Sequence, residues 1–542
     1  MMPENESPPK KRKIRKGTSS CWECKRRKAR CTFAGPSDAI CVGCRHRGTD
    51  CRGQDCDGEL YPAKKRDGRM EKIEGLVGEL LERVGGEALE IGLGVANGDG
   101  DVTAMDQSVP SMTGAETTLS AALHSVLPSQ ELATTIFSYL KFPTCFFQQM
   151  LTRNWRELDK VTNPTVAQMA VLPPATANPV TIATKMLIIA CLMQYGSPNC
   201  AEAQLCVDEE AWAAKRMELA AVAVDRVTTK DDLICSPEGL ECIMLEAMYH
   251  ANAGDLQRSL LAVRRTMTVA QLLGVHRSTR LTSRPVSGDE GDKFDPQYMW
   301  HRIICVDRFL CLMLGLPQGS SDLQTIPPGM YEDIALESRL EREHSAIASR
   351  ILDRNEKGPF SPDCKVVDQI DCDLQKAANR LPTSWWHLPA FNDAKMDERD
   401  SFEATSRLVN QLFHFNLVNQ LHLPFLLEFP LVERSTYSKE ACATASREVL
   451  TRYDIFRRHY VMPYAYSAVD FFGMIAAITL MLAHLDRHWR KQSNSLAHLR
   501  LTDRALVEKM LEDVKEGSAS RRRWSLRNAE ILETFLKIEA QA

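Results

Sequence analysis

The chain has 542 residues, 44% of them hydrophobic and 25% charged, which is the composition of a globular protein with room for more than one domain. Its formal charge of −4 hides an asymmetry: residues 8–30 carry eleven Lys/Arg against one acid, Glu23, a local +10 that leaves −14 on the rest. A basic head on an acidic body points to an anionic partner such as nucleic acid or a membrane surface. The N-terminus has no apolar targeting segment, so the eighteen cysteines read as those of a reducing compartment and not of a secreted disulfide scaffold.

In chain order, the first feature is "PPKKRKIRK", residues 8–16. Lys10, Lys11, Arg12, Lys13, Arg15 and Lys16 form a compact basic run after prolines, the pattern of a nuclear localisation signal. An extra phosphate-binding arm is the alternative reading.

Next, Cys21, Cys24, Cys31, Cys41, Cys44 and Cys51 follow the pattern C-x2-C-x6-C-x9-C-x2-C-x6-C, two copies of one spacing joined by a loop. One C-x2-C is weak evidence; two equally spaced copies point to metal. Zinc takes four tetrahedral ligands, so three thiolates per half leave each ion one short, and two ions sharing two bridging thiolates satisfy both. Such a cluster keeps a formal −2, which the neighbouring Lys and Arg offset while favouring the thiolates. Metal binding would then drive the folding of a segment with little core, with apparent energies on the order of 10 kcal/mol or more. A structural zinc knuckle and a thioredoxin-like dithiol are the competing readings. The second leaves the third and sixth cysteines unexplained.

On these six cysteines and the "KRRKAR" run at 25–30, the segment resembles the fungal binuclear zinc cluster transcription factors. The resemblance implies two Zn2+ per chain, Cys21 and Cys41 as bridging ligands, and a first helix entering the major groove of double-stranded DNA. Lys28 falls at the family's base-reading lysine, which takes the O6 and N7 acceptors of guanine in a CGG-type triplet. Arg27 and Arg30 would meet phosphates, with Lys25 and Arg26 beside them in the DNA-binding run. The chain departs from the family at Ala39, where proline is frequent; the loop's proline is Pro36.

Residues 52–69 read as a linker. Residues 70–84, "MEKIEGLVGELLERV", place Met70, Ile73, Val77, Leu80 and Val84 at a and d positions of a short dimerisation coiled coil. An amphipathic helix on the body is the other option, since two heptads are marginal alone. Residues 85–120 read as a flexible linker.

From 121 to 542 helical periodicity dominates, so the expected class is mainly α: a small zinc head, a short coiled coil and a large all-α regulatory domain. Ser236 and Pro237 start a helix whose apolar residues run from Leu240 to Ala251 at helical spacing and which ends at Gly254. A second helix carries Leu256, Leu260, Val263, Met267 and Ala270 to Gly274, making an antiparallel pair. The stretches 260–277, 299–319, 381–386 and 419–427 resemble the middle homology region of the same family, which implies a regulatory domain without catalysis.

The constellations of an enzyme are lacking: no phosphate-binding glycine loop and no G-x-S-x-G occur. His484 and His488 read as a solvated helix end, Asp307 and Arg308 as a buried ion pair or hydrogen-bonding hub, and Trp385 and Trp386 as core or interface anchors. The run "FFGMIAAITLML" at 471–482 reads as a core helix too short to cross a bilayer. The expectation is a nuclear, DNA-binding homodimer imported by the nuclear machinery, with a small-molecule effector possible in the body and no membrane partner. A helical enzyme or metabolite sensor with a metal-binding head is the alternative.

Overall fold

The computed structural model describes residues 21, 24, 32–33, 40–48 and 51 near the N-terminus. From 114 onward it describes the chain apart from 140–165, 196–208, 278–294, 322–335, 358–363, 390–397, 428–434, 460–466, 491–495, 517–521 and 542. Two compact units emerge, Met1–Gly75 and Leu76–Ala542. Among the described residues of the first, Val42–Arg47 form a short helix, α1, and Cys24 is also helical.

The second unit is helical, with no strand among the described residues. Its first described helix is α2 (Gly114–Val126), which starts inside the stretch read as a linker. There follow α3 (Gln130–Tyr139), α4 (Val166–Ala170), α5 (Pro179–Tyr195) and α6 (Glu209–Ala223). A π-helical turn at Val224–Thr228 leads to α7 (Asp231–Ile234). Then come α8 (Pro237–Asn252), α9 (Leu256–Leu272), α10 (Pro296–Leu314) and α11 (Leu336–Glu356). The remaining helices are α12 (Cys364–Asn379), α13 (Glu398–Leu427), α14 (Ser435–His459), α15 (Ser467–Arg490), α16 (Arg500–Glu516) and α17 (Arg522–Ala540).

The α8–α9 pair forms as its sequence dictates. The Ser236 hydroxyl accepts the Gly239 N–H at 3.0 Å, and Pro237, which has no N–H to satisfy, opens the helix. Gly254 adopts φ 81°, a left-handed conformation open to glycine, and the chain turns into α9, whose N-cap Asp255 accepts from Arg258. Leu260, Val263, Met267 and Ala270 are buried, while Leu256 is half-buried.

Helices adjacent in sequence are mostly adjacent in space: α8 packs on α9, α9 on α10, α10 on α11, α13 on α14, and α14 on α15. Two helices are apolar on nearly all sides and lie at the centre. In α5, Ile182, Met186, Leu187, Ile189 and Ala190 are all fully buried, and the helix is covered by α2, α6 and α8. Helix α15 is covered by α13, α14, α16 and α17 and also touches α8. It contains the apolar run at 471–482 but is longer than that run. The window Ala468–Leu485 is long and apolar enough to cross a membrane by length and composition, yet 83% of it is buried inside the protein. It serves as a core helix, as the sequence indicated, although shortness is not the reason.

Polar groups inside the body are tied to neighbours. Asp307 pairs with Arg264 at 2.5 Å and accepts the Gly319 N–H at 2.7 Å. Its fully buried neighbour Arg308 donates to Gln318, Ser345 and Ser320. The pair is thus a hydrogen-bonding hub that stitches α10 to the 318–320 turn and to α11. Trp385 and Trp386 anchor the interior: the first donates to Glu337 at 3.2 Å, and the second donates to the Ala378 carbonyl and meets His414 edge-on.

Candidate metal centre

The first unit is built around thiols. Cys41 is the N-cap of α1, and its Sγ accepts the Cys44 N–H at 3.4 Å. This places the second C-x2-C across the first turn of the helix, so both thiols point the same way. The helix is closed by Gly48 at φ 60°. The Val42 N–H donates to the Thr32 carbonyl at 2.8 Å, holding the start of α1 against the chain that follows the first repeat.

Cys21, Cys24, Cys41 and Cys44 are 4%, 1%, 0% and 0% exposed, and their sulfurs all lie within 4.8 Å of one another. The separations are 3.8 Å for Cys21–Cys41, 3.6 Å for Cys21–Cys44 and 3.6 Å for Cys24–Cys41. A tetrahedral zinc with Zn–S near 2.3 Å has S···S edges of about 3.8 Å. The donor set and its spacing therefore fit zinc, and the distances are far too long for disulfides. Cys51 packs against the same group and accepts the Cys41 N–H at 3.3 Å.

The electrostatics lead to the same ion. Burial and the adjacent Cys41 and Cys21 raise the Cys24 thiol above the usual range, and burial takes Cys51 to about 12. Burial also opposes ionisation of Cys21, but the Cys24 N–H and the neighbouring thiols, Cys44 first, hold it below its ordinary value. Thiols packed this closely do not all ionise on their own, and a divalent cation is what would discharge them. Arg47 adds charge from outside, its Nη2 lying 3.8 Å from the Cys24 sulfur. Gly43 leaves the space for it: a Cβ there would stand 2.7 Å from Arg47 Nη2 and 3.5 Å from the Cys24 sulfur. Neither residue was singled out by sequence reasoning. The cue was present, because Arg47 follows Cys44 by the interval at which Arg27 follows Cys24.

With this geometry in place, comparison with known proteins decides the family. The chain is 35% identical over 98% of its length to a dehydrocurvularin biosynthesis regulator of Alternaria cinerariae, of which it covers 72%. It is 37% identical over 76% of its length to transcription factor eupR of a Phoma species, covering 96% of that protein. It is 30% identical over 96% of its length to transcription factor sdnS of Sordaria araneosa, covering 75% of it. No protein-family model matches the chain. The chain belongs to a family of fungal transcription regulators. Membership extends through both units, so the helical body is as much a part of this regulator family as the cysteine head. The relatives' names describe regulators rather than enzymes.

Several expected site residues lie outside the described residues: Cys31, the run Lys25, Arg26, Arg27, Lys28 and Arg30, the basic tail Lys10–Lys16, and the seam Met70, Ile73, Val77, Leu80 and Val84. One expectation in the body is corrected. His484 is not solvated but buried, with its Nε2 2.6 Å from Asp503, which also accepts two bonds from Arg447 at 2.6 and 2.8 Å. Burial opposes ionisation of Asp503, but Arg447 and His484 hold its carboxyl below the usual range. The side chain of His488 lies outside the described residues. Among the other cysteines, Cys191, Cys242, Cys305, Cys311 and Cys442 are buried as small hydrophobes, whereas Cys235 and Cys372 are exposed.

Proposed function

We propose that this chain is a sequence-specific, DNA-binding regulator whose head holds two zinc ions. Cys21, Cys24, Cys31, Cys41, Cys44 and Cys51 are the six ligands, with Cys21 and Cys41 shared between the ions. The observation that supports this reading is a fifth thiol: Cys51 packs against Cys21, Cys24, Cys41 and Cys44, whereas one tetrahedral ion takes only four ligands.

The zinc cluster, once loaded, supplies rigidity, and the lysine-rich run does the reading. Lys28 donates to guanine in a CGG-like half-site. Lys25, Arg26, Arg27 and Arg30 meet the duplex around it, and phosphate contacts give an affinity that falls steeply with salt. Lys10, Lys11, Arg12, Lys13, Arg15 and Lys16 address the chain to the nucleus. Met70, Ile73, Val77, Leu80 and Val84 pair two chains, so that two half-sites are read together. The names of the relatives, regulators of dehydrocurvularin biosynthesis among them, support control of a gene cluster for a secondary metabolite.

The test is zinc analysis and a salt titration on the full-length chain, using a probe with paired CGG triplets. Two zincs per chain are expected. Lys28→Ala should keep both ions and lose the preference for CGG over scrambled DNA. One zinc or none, or a Lys28→Ala variant with unchanged sequence preference, would overturn the assignment.

A further inference from the structure

Inside the helical body, α8, the start of α9, α10, α11, α13 and the start of α15 enclose a cavity of about 210 Å³. Its walls are largely apolar, with Met248, Phe309 and Met313 among them; Arg302 and Glu341 form a charged, polar end next to His344, and Ser406 and Asn410 are polar groups elsewhere in the lining. The cavity is larger than the engineered pocket of about 150 Å³ that stays dry and holds benzene. It is also reachable. Arg302, Val306 and Phe309, at i, i+4 and i+7 on α10, are only half-buried, and so are Val409, Asn410 and Phe413 facing them on α13. Natural small-molecule sites combine such walls with a few convergent polar groups.

The polar end selects the chemistry. Arg302 forms an ion pair with Glu341, so the end has no net charge to offer a ligand. The nearby imidazoles add none, since burial first and the proximity of His414 second push His344 well below its ordinary value, and burial takes His301 to about 4. A carboxylate or an ammonium placed here would be buried without a counter-charge, which is costly. A hydroxyl can donate its proton to the Glu341 carboxylate in the lining without bringing a charge into the cavity. We propose that this cavity binds one small, uncharged, largely apolar molecule carrying a hydroxyl, with the hydroxyl at the Arg302–Glu341 end. This inference stands on the helical body alone and does not depend on the reading of the head.

The probe is 2-naphthol, an apolar bicycle with one hydroxyl, titrated into the full-length protein and followed by its own fluorescence. Saturable one-to-one binding is expected, with the emission of the neutral form retained because the site excludes bulk water. Naphthalene, which lacks the hydroxyl, and 2-naphthoate, which adds a charge, should each bind at least about tenfold more weakly. Val306→Phe, which fills the cavity from α10, should abolish binding in a chain that keeps its helical circular dichroism. No saturable binding of 2-naphthol, equal binding of 2-naphthoate, or a folded Val306→Phe chain that binds as the wild type does would each overturn the proposal. The comparison of the three ligands uses the wild type alone, so it decides the matter even if the variant fails to fold.

Discussion

Cys41 shows how much one residue position carries in a small head. Its backbone starts α1, its sulfur caps the first turn, and the same sulfur lies among thiols of both half-motifs. Gly239 plays a comparable part in the body, through what it lacks. A Cβ at this third residue of α8 would stand 2.1 Å from the Ile234 carbonyl oxygen and 2.6 Å from its carbon, so the end of α7 lies directly on the start of α8. Those are backbone atoms and cannot swing aside. Gly239→Ala should therefore destabilise the body by about 1–3 kcal/mol, the usual cost of overpacking, despite alanine's better helix propensity. A urea titration checks this: the midpoint should fall with an unchanged slope, and a midpoint at or above the wild-type value would show that the contact relaxes freely.

Among the elements, α10, α11 and α13 bring three histidines into the interior. His344 Nε2 lies 3.1 Å from His414 Nδ1, and His301 lies 3.4 Å from the Cys305 sulfur. Burial lowers both His301 and His414 to about 4 from an ordinary 6.5, with Arg452 adding to the effect at His414. These groups fold neutral and take up protons more readily when unfolded. Their contribution is whole above about 6.5 and is lost as pH falls toward about 4, at about 1.4 kcal/mol per pH unit for each histidine. Glu341 acts in a lower window. Burial opposes its ionisation, but Arg302 and His301 hold it at about 2 against an ordinary 4.5, so its contribution is lost only below about 4.5. The urea midpoint of the full chain should therefore be clearly lower near pH 5.5 than near pH 7.5. An unchanged or higher midpoint at the acid value would mean that these imidazoles are charged in the fold.

For the whole molecule, the division into two units makes a sharper statement. The thiol head has four buried cysteines for a core, and metal binding is what would fold it. The body has its own extensive apolar core, with α5 and α15 at its centre, and the metal-ligand cluster lies only in the head among the described residues. Chelation with 1,10-phenanthroline should abolish DNA binding while leaving nearly all of the far-ultraviolet helical signal and the thermal transition of the body. Loss of both together would show that the body too depends on the metal.

Much of this was legible in the residues themselves, because it depends on local spacing. The doubled C-x2-C-x6-C pattern has the spacing of metal-ligating thiols, and four of its six cysteines, Cys21, Cys24, Cys41 and Cys44, do converge in an arrangement that fits a metal ion. Helix α8 begins at Ser236–Pro237 and ends before Gly254 because caps and breakers act within a turn. Asp307 and Arg308 read in the sequence as a buried ion pair or a hydrogen-bonding hub; they form the hub, and the ion pair of Asp307 is with Arg264. Other features depend on segments far apart in sequence, and only the tertiary structure decided them. His484 looked like a residue at a wet helix end until α16 brought Asp503 to it, and α14 brought Arg447. The helix that begins at Gly114 was hidden because it starts in a Ser- and Thr-rich stretch whose composition reads as a linker. The cavity has no sequence signature at all, because six helices contribute a few residues each and its shape exists only once they pack. Short-range chemistry is written in the order of residues; a space between helices is not.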